Sequence, residues 1–517
     1  MVLLFLLLAL GFVALTLYRP LATLAALALY LPFESVLLKL VPDNVYVYAR
    51  FFSEGLIYVL AAVVIWRALT GSIRLRSTQA DLPFILFLVI LAASVAINAV
   101  SPTVAILGTR QIIRFVLVFF IAVQLRPSRD YVRNLTLALF AVVGFESILG
   151  IVQSLSGGSL DAILLPSDAH TLGEVTLTGG VDAFWEPGSR VFATLGRYDR
   201  LGNFLYFFLA LAVGFVYEFL GKRRRGDDHP QVLPRSLSKG GPLLAEGGET
   251  RMIKAEGGQT RRGEMVALFA VAIPALVLTF SRASWFAFLL AFLFVAVWIK
   301  RDRRVMFAVA SVVIAVVAYV GVTGLNVRYI TEAPGQTLVE RFYETFSYAR
   351  WRGEYYGLGR VYWMVQTPLT VVAASPLFGF GPGQFGGGAV VALDNTRVYE
   401  LLGLPFGVFG TEGIIDNSWF SLWGETGTLG MAFFLWLYVG LIVHAVRVHR
   451  RSKDPFVRAL SIGLAAAMLG VAMNAFLSTV FEIRTLAFYV WLYAGFVVVL
   501  GEGEIRVRRG EGSKSLG

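Results

Sequence analysis

Cysteine is absent from this 517-residue chain, and charged residues are scarce. Without cysteine, the protein has neither disulfides nor thiolate metal sites. Charged residues make up 15% of the chain, whereas a soluble globular domain of this length carries about 25%. Residues 1–18 lack a basic leader and a small-residue cleavage site, which predicts a retained helix rather than a signal peptide.

Apolar sequence fills most of the chain instead. Hydrophobic residues make up 57% of it, and the mean hydropathy is +0.70. About thirteen apolar runs can cross a bilayer, or about twelve if the first two form one re-entrant unit. They lie at residues 1–18, 20–40, 52–69, 82–100, 104–125, 131–155, 200–220, 265–280, 283–299, 305–324, 427–446, 456–477 and 485–501. The sequence predicts an all-α polytopic membrane protein of about 12–13 transmembrane helices.

The basic residues predict the orientation of the chain rather than a nucleic-acid partner, because cytoplasmic loops are enriched in Lys and Arg. One alternate set of loops contains Arg67, Arg74, Arg76, Arg126, Arg129, Arg133, Lys300, Arg301, Arg303, Arg304, Arg447, Arg450, Arg451, Lys453, Arg506, Arg508 and Arg509. We expect those loops to be cytoplasmic, as is a tail at 503–517. The loop at 156–199, the Ser281–Arg282 turn and the long segment 325–425 are then extracytoplasmic.

Residues 221–264 divide the transmembrane helices of residues 1–220 from those of 265–324 and 426–502. The segment opens with four basic residues, Lys222 to Arg225, and contains two near-copies of Ala-Glu-Gly-Gly-Glu/Gln-Thr-Arg, ten residues apart. Low hydrophobicity, glycine and mixed charge predict a flexible cytoplasmic linker. A partner-docking tail is the alternative, and the basic run is suited to anionic lipid headgroups.

The long outer segment 325–425 contains two helical patterns. Residues 337–350 space apolar side chains at helical intervals with charges between them, which predicts an amphipathic helix on the headgroup surface. Residues 359–375 predict a second amphipathic helix, which ends before Pro376 and the glycines that follow.

Several arginines on the outer side are candidates for binding an anionic group. Arg282 lies in a turn on the face where an orienting charge is not expected, although an arginine reaching to the interface beside Trp285 is the simpler alternative. Arg190, Arg197 and Arg200 precede a span, and planar guanidinium groups suit phosphate. One or two of these arginines are alternatively partners of Asp199 or Glu186.

Arg360 begins the second helix of the outer segment and precedes the turn Gly379-Phe380-Gly381-Pro382-Gly383. Taken alone, Arg360 is better interpreted as a solvated arginine on a helix face. Glycines at Gly381 and Gly383 allow close approach of the backbone to a ligand, but Gly-Pro turns are common and are weak signals by themselves.

Asp416, Asn417 and Trp419 lead into the next span, whose first turn is expected to contain Glu425. An Asp-Asn pair ordinarily caps a helix. Because Glu425 already supplies a carboxylate for the helix dipole, Asp416 is left as a candidate general base facing the same outer cavity as the arginines.

The ordered set resembles the O-antigen ligase and polymerase superfamily of bacterial membrane glycosyltransferases over residues 185–440. The resemblance rests on the Arg-x-x-x-Thr-x-Gly element at Arg190, on Ser281–Arg282, on Gly359–Arg360 followed by an aromatic, on the glycine turn, and on Asp-Asn-x-aromatic before Glu-x-Gly-x-x-Gly. It implies transfer of a glycan from a polyprenyl-diphosphate-linked donor to a glycan or lipid-linked acceptor, outside the bacterial cytoplasmic membrane, without nucleotide sugar or an obligatory metal or cofactor. Membrane lipids are the other expected partners.

The resemblance also implies roles for individual residues. Asp416, Arg282 and Arg360 are the expected catalytic residues, and the expected substrate-binding residues are Arg190, Arg197, Arg200, Asn417, Trp419, Gly381, Gly383 and Glu425. The ligases typically place a histidine where this chain has Asp416, and no histidine lies in the long segment. A polymerase or another exopolysaccharide transferase is therefore at least as compatible as a ligase.

Two other classes of membrane protein remain open. A transporter or flippase for a polysaccharide precursor is favoured by acids inside apolar runs, of which Glu146 is the clearest and Glu54 the weaker. A cell-wall glycan polymerase of the shape and division family also uses an acid in an outer loop, but the expected order of motifs is absent.

Overall fold

Helices make up nearly all the regular structure of the residues that the structure describes. The computed structural model describes residues 2–166, 170–172, 175–177, 188–221, 247–323, 348–408 and 412–508. Two short strands, β1 (His170–Leu172) and β2 (Val175–Leu177), pair antiparallel with Thr171 opposite Thr176. The predicted all-α class is confirmed.

The helices of the first half follow the apolar runs of the sequence. They are α1 (Val2–Tyr18), α2 (Pro20–Tyr30), α3 (Glu34–Lys39), α4 (Asp43–Leu69), α5 (Asp81–Ile97), α6 (Pro102–Ile113), α7 (Val116–Leu125), α8 (Arg129–Leu155), α9 (Asp161–Leu164) and α10 (Tyr198–Gly221). Single 3₁₀ turns lie at Leu31–Phe33 and Ala193–Leu195. Prolines 20 and 102 stand in the first turns of α2 and α6, where the missing N–H costs no helical hydrogen bond.

The second half contains the remaining spans and the helices of the long outer segment. They are α11 (Gly247–Leu278), α12 (Arg282–Leu293), α13 (Arg303–Thr323), α14 (Tyr348–Tyr356), α15 (Arg360–Gln366), α16 (Gly388–Ala392), α17 (Arg397–Leu402), α18 (Ser418–Arg451), α19 (Pro455–Asn474) and α20 (Arg484–Arg508). Helices α12 and α15 continue as π-helical segments, Phe294–Ile299 and Thr367–Val372.

Each of the predicted apolar runs coincides with a helix. Within the described ranges, 8 helices are long and apolar enough to cross a membrane, or 9 if α6 and α7, which bend by 54° at their junction, form one span. Shorter apolar helices lie at Asp81–Ile97 and Gly263–Leu278, and α1 and α13 cover the remaining two runs. The chain is a multi-pass membrane protein.

Helix α11 begins within the segment that the sequence predicts to be a flexible linker. Residues 247–264 are helical, although residues 222–246 lie outside the described ranges. A physical reason is that a span leaving the membrane can continue in water where residues such as Met252, Lys254 and Ala255 favour helix. The predicted helix at 337–350 falls mostly outside the described residues, whereas the helix predicted at 359–375 is confirmed.

The centre of the bundle consists of α10, α19 and α20, along which most side chains are buried. Glycines allow α10 and α19 to touch through their backbones. A Cβ on Gly214 would lie 2.3 Å from the carbonyl oxygen of Ala459, and a Cβ on Gly463 would lie 2.7 Å from that of Leu211. Small residues at a crossing are how helices pack closely inside a membrane, where the hydrophobic effect does not drive them together.

The loops that the sequence predicts to be cytoplasmic contact one another. Arg76 pairs with Glu502 at the end of α20, and Arg129 pairs with Asp454 before α19. Arg126 Nη2 also donates to the backbone oxygen of Arg74 at 2.7 Å. These loops therefore share one end of the bundle, as the predicted orientation requires.

Candidate active site

An ion pair joins the start of α15 to Asp416, which lies two residues before α18. In the chain, the glycine turn lies between these two positions. Arg360, the first residue of α15, donates from Nη2 at 2.6 Å and from Nε at 3.0 Å to Asp416. Both bonds end on the same carboxylate oxygen, Oδ2. The two side chains are 33% and 40% exposed, so the pair is half-buried and open to solvent on one side.

Asp416 is available for this pair because Asn417 caps the following helix. The Asn417 side chain accepts from the backbone N–H of Phe420 at 3.1 Å and donates to the carbonyl oxygen of Phe476 at 3.0 Å. An N-cap side chain takes up an N–H that has no helical partner. The sequence expectation that Glu425 stands in the first turn is wrong, because α18 begins seven residues earlier, at Ser418.

A second carboxylate, that of Glu354, binds the backbone of Arg360. Glu354 of α14 accepts from the backbone N–H of Arg360 at 3.1 Å and pairs with Arg350. Burial alone lowers the pKa of Arg360, but the charges of Asp416 and Glu354 outweigh burial and raise it above its ordinary value. Burial likewise raises the pKa of Glu354, but the charges of Arg360 and Arg350 outweigh it and lower that pKa. Both groups therefore remain ionised.

The arginines before α10 lie near the same pair. Arg197 Nε donates to Asp199 at 3.1 Å, and the charge of Asp199 raises the pKa of Arg197 against the effect of burial. Asp416 also raises that pKa, which places Arg197 within electrostatic reach of the Arg360–Asp416 pair. The Arg190 guanidinium lies 4.2 Å from the ring centroid of Tyr198, and Tyr198 acts electrostatically on Arg360.

Arg200 lies one helical turn further into α10. The charges of Arg197, Asp199, Arg484 and Arg50 all act on Arg200. Arg200 therefore lies within electrostatic reach of Arg197 and of two other basic residues, Arg484 of α20 and Arg50 of α4. Arg197 thus lies within electrostatic reach of both the Arg360–Asp416 pair and Arg200, and Arg190 lies against Tyr198.

Arg282 is the first residue of α12 and is half-buried. The serines on either side of it pack against α10: Ser281 and Ser284 lie 2.9 Å apart through their hydroxyls, and Ser284 contacts Asn203 at 3.2 Å. A Cβ on Gly202 would lie 2.6 Å from the Ser284 hydroxyl. The start of α12 is therefore fixed beside the start of α10, while the role of Arg282 remains a prediction.

The glycine turn binds both the backbone and the side chain of Glu425 in α18. Gly381 N–H donates at 2.9 Å to the backbone oxygen of Glu425, and Gly383 N–H donates at 2.9 Å to the Glu425 carboxylate. Gly379, Gly381 and Gly383 all have positive φ, which only glycine adopts without strain. Glu425 is 4% exposed, so these residues join the turn to α18 at the point where Gly427 breaks that helix.

The close approach of α6 to this turn gives a stability prediction. A Cβ on Gly108 would lie 2.2 Å from the Gly383 nitrogen, so Gly108→Ala is expected to destabilise the protein by about 1–3 kcal/mol. Gly440→Ala in α18 is the matched control, because nothing lies within 4 Å of its added Cβ. Thermal unfolding in detergent measures both variants, and an equal melting temperature for the two would contradict the packing described.

Trp419 is also fixed by packing. Its indole Nε1 donates to the carbonyl oxygen of Ala472 at 2.8 Å, and its ring is 3% exposed among Tyr438, Phe476 and Phe481. Asn417 and Trp419 therefore orient the start of α18 and thus Asp416. Binding of substrate by Asn417, Trp419, Gly381, Gly383 and Glu425 remains a prediction that their observed contacts do not require.

The two acids that favour a transporter are both engaged inside the bundle. Glu54 pairs with Arg110 and, at 3.1 Å, with Arg114 of the α6–α7 junction. Glu146 accepts from the backbone N–H of Thr194 at 3.1 Å. The partners of Glu54 and Glu146 could not be predicted, because each pair joins residues far apart in the chain. Glu354 was not predicted either. Glu354 has a local signal, since it stands four residues after Arg350 in an amphipathic stretch.

Comparison with known families agrees with this geometry. A search of curated proteins finds no match. The family model described as O-antigen ligase matches residues 267–435, which is about a third of the chain and includes Arg282, Arg360 and Asp416. Residues 267–435 therefore match an O-antigen ligase domain, which supports the O-antigen ligase superfamily that the sequence resemblance predicts.

Proposed function

We propose that this envelope enzyme moves a glycan from a polyprenyl-diphosphate-linked donor to an acceptor hydroxyl. The observation that supports the proposal is the ion pair of Asp416 with Arg360, with Arg197 within electrostatic reach of it, so that three separate parts of the chain contribute. One carboxylate beside several guanidinium groups supplies the two things that this transfer needs. These are a base for the acceptor and positive charge for the leaving diphosphate.

Asp416 is suited to be the base because of the way in which Arg360 holds it. Both hydrogen bonds from Arg360 end on Oδ2, and Oδ1 accepts none from the residues that the structure describes. The guanidinium thus fixes the orientation of the carboxylate and leaves Oδ1 without a hydrogen bond from the described residues. General base catalysis by a positioned carboxylate contributes about 10²- to 10⁴-fold to rate.

The arginines are suited to the leaving group. Negative charge develops on the diphosphate as its bond to the sugar breaks, and preorganised donors at a poorly hydrated site stabilise such charge. Arg360 binds Asp416 through Nε and Nη2 and not through Nη1, and Arg197 lies within electrostatic reach of the pair. The guanidinium group is always charged and binds phosphate through two parallel bonds.

The proposed transfer requires neither a metal nor a proton donor from the protein. The acceptor oxygen attacks the anomeric carbon, its proton passes to Asp416, and the bond between that carbon and the diphosphate oxygen breaks. Polyprenyl diphosphate leaves with the electron pair. Attack in line with the leaving group inverts the anomeric centre. We place the site on the outer side of the bacterial cytoplasmic membrane, with the lipid tail of the donor entering sideways between helices.

Transport of a precursor is the alternative, and the structure gives it no specific support. The acids on which it depends, Glu54 and Glu146, have partners within the bundle. Reconstitution in liposomes distinguishes the two functions: purified protein is given a polyprenyl-diphosphate-linked glycan and an acceptor, and products are analysed by mass. A covalently extended acceptor supports transfer, whereas glycan movement across the liposome without covalent product contradicts it.

Arg282 provides a prediction for cells. Arg282→Ala should weaken use of the lipid-linked donor, because it removes a cation from the start of α12 beside α10. A strain carrying the substitution is expected to make less polysaccharide or shorter chains, which gel electrophoresis of the envelope glycan detects. Arg304→Ala, in a loop predicted to be cytoplasmic, is the control. Unchanged amount and chain length in the Arg282→Ala strain would remove Arg282 from the proposed site.

A further inference from the structure

The segment that joins Arg190 to Arg197 is folded into the bundle rather than lying on its surface. We name residues 188–197 the arginine strap. Its central residues, from Val191 to Leu195, are each 6% exposed or less, although only three of them form a 3₁₀ turn. Non-helical backbone at membrane depth persists only where its polar groups are satisfied by the protein.

Side chains of α8 satisfy much of this backbone. Gln153 Oε1 accepts from the N–H groups of Phe192 at 3.0 Å and of Ala193 at 2.9 Å. Two helical turns deeper, Glu146 Oε2 accepts from the N–H of Thr194 at 3.1 Å. Gln153 in turn donates to Asp161 at 2.7 Å, and Asp161 accepts from Gly188 N–H at 3.1 Å.

Further contacts restrict the backbone conformation of the strap. Ser35 donates to the carbonyl oxygen of Leu195 at 3.1 Å, and a Cβ on Gly196 would lie 3.0 Å from Ser35. Ala193 has a φ of 46°, a left-handed conformation that is strained for a residue other than glycine. Strain of this kind persists only where the surroundings over-determine it, and the Gln153 bond acts at this residue.

Hydrogen bonding at Thr194 favours a neutral Glu146. The Thr194 hydroxyl lies 3.0 Å from the carbonyl oxygen of Pro32 and 2.5 Å from Glu146 Oε1. A hydroxyl has one hydrogen to donate, and a carbonyl oxygen only accepts. Both contacts are hydrogen bonds if Thr194 donates to Pro32 and Glu146 donates to Thr194. Glu146 is then a neutral carboxylic acid, which also avoids a buried charge without a cationic partner.

We propose that Glu146 and Gln153 are positioning residues that fix the separation of Arg190 and Arg197 for the anionic end of the donor. The inference rests on the proposed function. Glu146 acts as a neutral hydrogen-bonding group and moves no proton during turnover. This assigns a role to the buried acid that is the strongest sequence feature in favour of a transporter.

Two substitutions separate this role from its alternatives. In Glu146→Gln the amide oxygen still accepts from the Thr194 N–H and the amide nitrogen donates to the Thr194 hydroxyl, so the Michaelis constant for the donor and the turnover number should stay within about twofold of wild type. Glu146→Leu keeps the bulk and removes both hydrogen bonds. It is expected to raise the Michaelis constant for the donor about tenfold while changing turnover less, because the arginines are displaced and Asp416 is not. If the Glu146→Leu protein does not insert into the membrane, Gln153→Met provides the same test, because it removes the hydrogen bonds from Gln153 to the strap.

A second readout does not require activity. Because the chain has no cysteine, Ser189→Cys gives one site for a spin label on the strap. The label should become more mobile in the Glu146→Leu background and stay unchanged with Glu146→Gln. Loss of activity in Glu146→Gln, or unchanged label mobility and Michaelis constants in both Glu146→Leu and Gln153→Met, would overturn the proposal. If wild-type protein transfers no glycan, the proposed function fails, and label mobility still decides whether these residues hold the strap.

Discussion

Replacing Asp416 by asparagine should lower glycan transfer by about 10²- to 10⁴-fold, the usual contribution of a positioned general base. The amide keeps the size of the carboxylate and still accepts a hydrogen bond from Arg360, but it does not take a proton from the acceptor hydroxyl. The effect is expected in the turnover number more than in the Michaelis constant for the donor. Initial rates of product formation in proteoliposomes measure both.

The protein itself should remain folded and inserted after this change. An exposed ion pair contributes about 0–1 kcal/mol to stability, and the side chains of Asp416 and Arg360 are 40% and 33% exposed. Glu400→Gln is the matched control, since Glu400 is an exposed acid of α17 that contacts Thr396. Transfer by Asp416→Asn at the rate of Glu400→Gln would exclude Asp416 as the base.

Replacing Arg360 by lysine should reduce kcat/KM for the lipid-linked donor by about 10²- to 10³-fold, as removal of one preorganised donor to a developing anion does. The charge is retained, but a lysine ammonium is a point charge and does not reproduce the planar fork of the guanidinium. The carboxylate of Asp416 also loses the two bonds that orient it. Steady-state kinetics over a range of donor concentrations gives the value.

Arg397→Lys in α17 is the control for this substitution. Arg397 is exposed and donates to the backbone oxygen of Asn98 at 3.3 Å, so its replacement should leave kcat/KM unchanged. If Arg360→Lys retains the wild-type value, positive charge alone is sufficient at this position. The role assigned to the two hydrogen bonds from Arg360 to Asp416 is then wrong.

The transmembrane helices could be predicted from sequence because their signal is local. Whether an apolar run is long enough to cross a bilayer can be read directly from the sequence, and every predicted run is helical. The helix at 359–375 and the positive-φ glycines of the turn follow from equally local signals, namely apolar periodicity and glycine spacing. Sequence also selected Arg360 and Asp416 as partners in one site, and the structure pairs them.

What the sequence did not reveal is how polar side chains are divided between binding and construction. Asn417 and Asp416 are both good capping residues, and only the structure shows that Asn417 caps α18 while Asp416 turns to Arg360. Glu425 looks like a site acid, but it is buried against the glycine turn. Glu146 looks like part of a transport pathway, but it holds the strap. These roles depend on contacts between distant parts of the chain.

Direct displacement at the anomeric carbon, with Asp416 as base, is the central claim, and the configuration of the new linkage tests it most directly. Purified protein is supplied with a polyprenyl-diphosphate-linked glycan of known anomeric configuration, and the linkage formed with the acceptor is determined by nuclear magnetic resonance. Direct displacement predicts the opposite configuration to that of the donor. Retention of the donor configuration would mean two successive displacements through a covalent glycosyl-enzyme, and would contradict the mechanism proposed for this site.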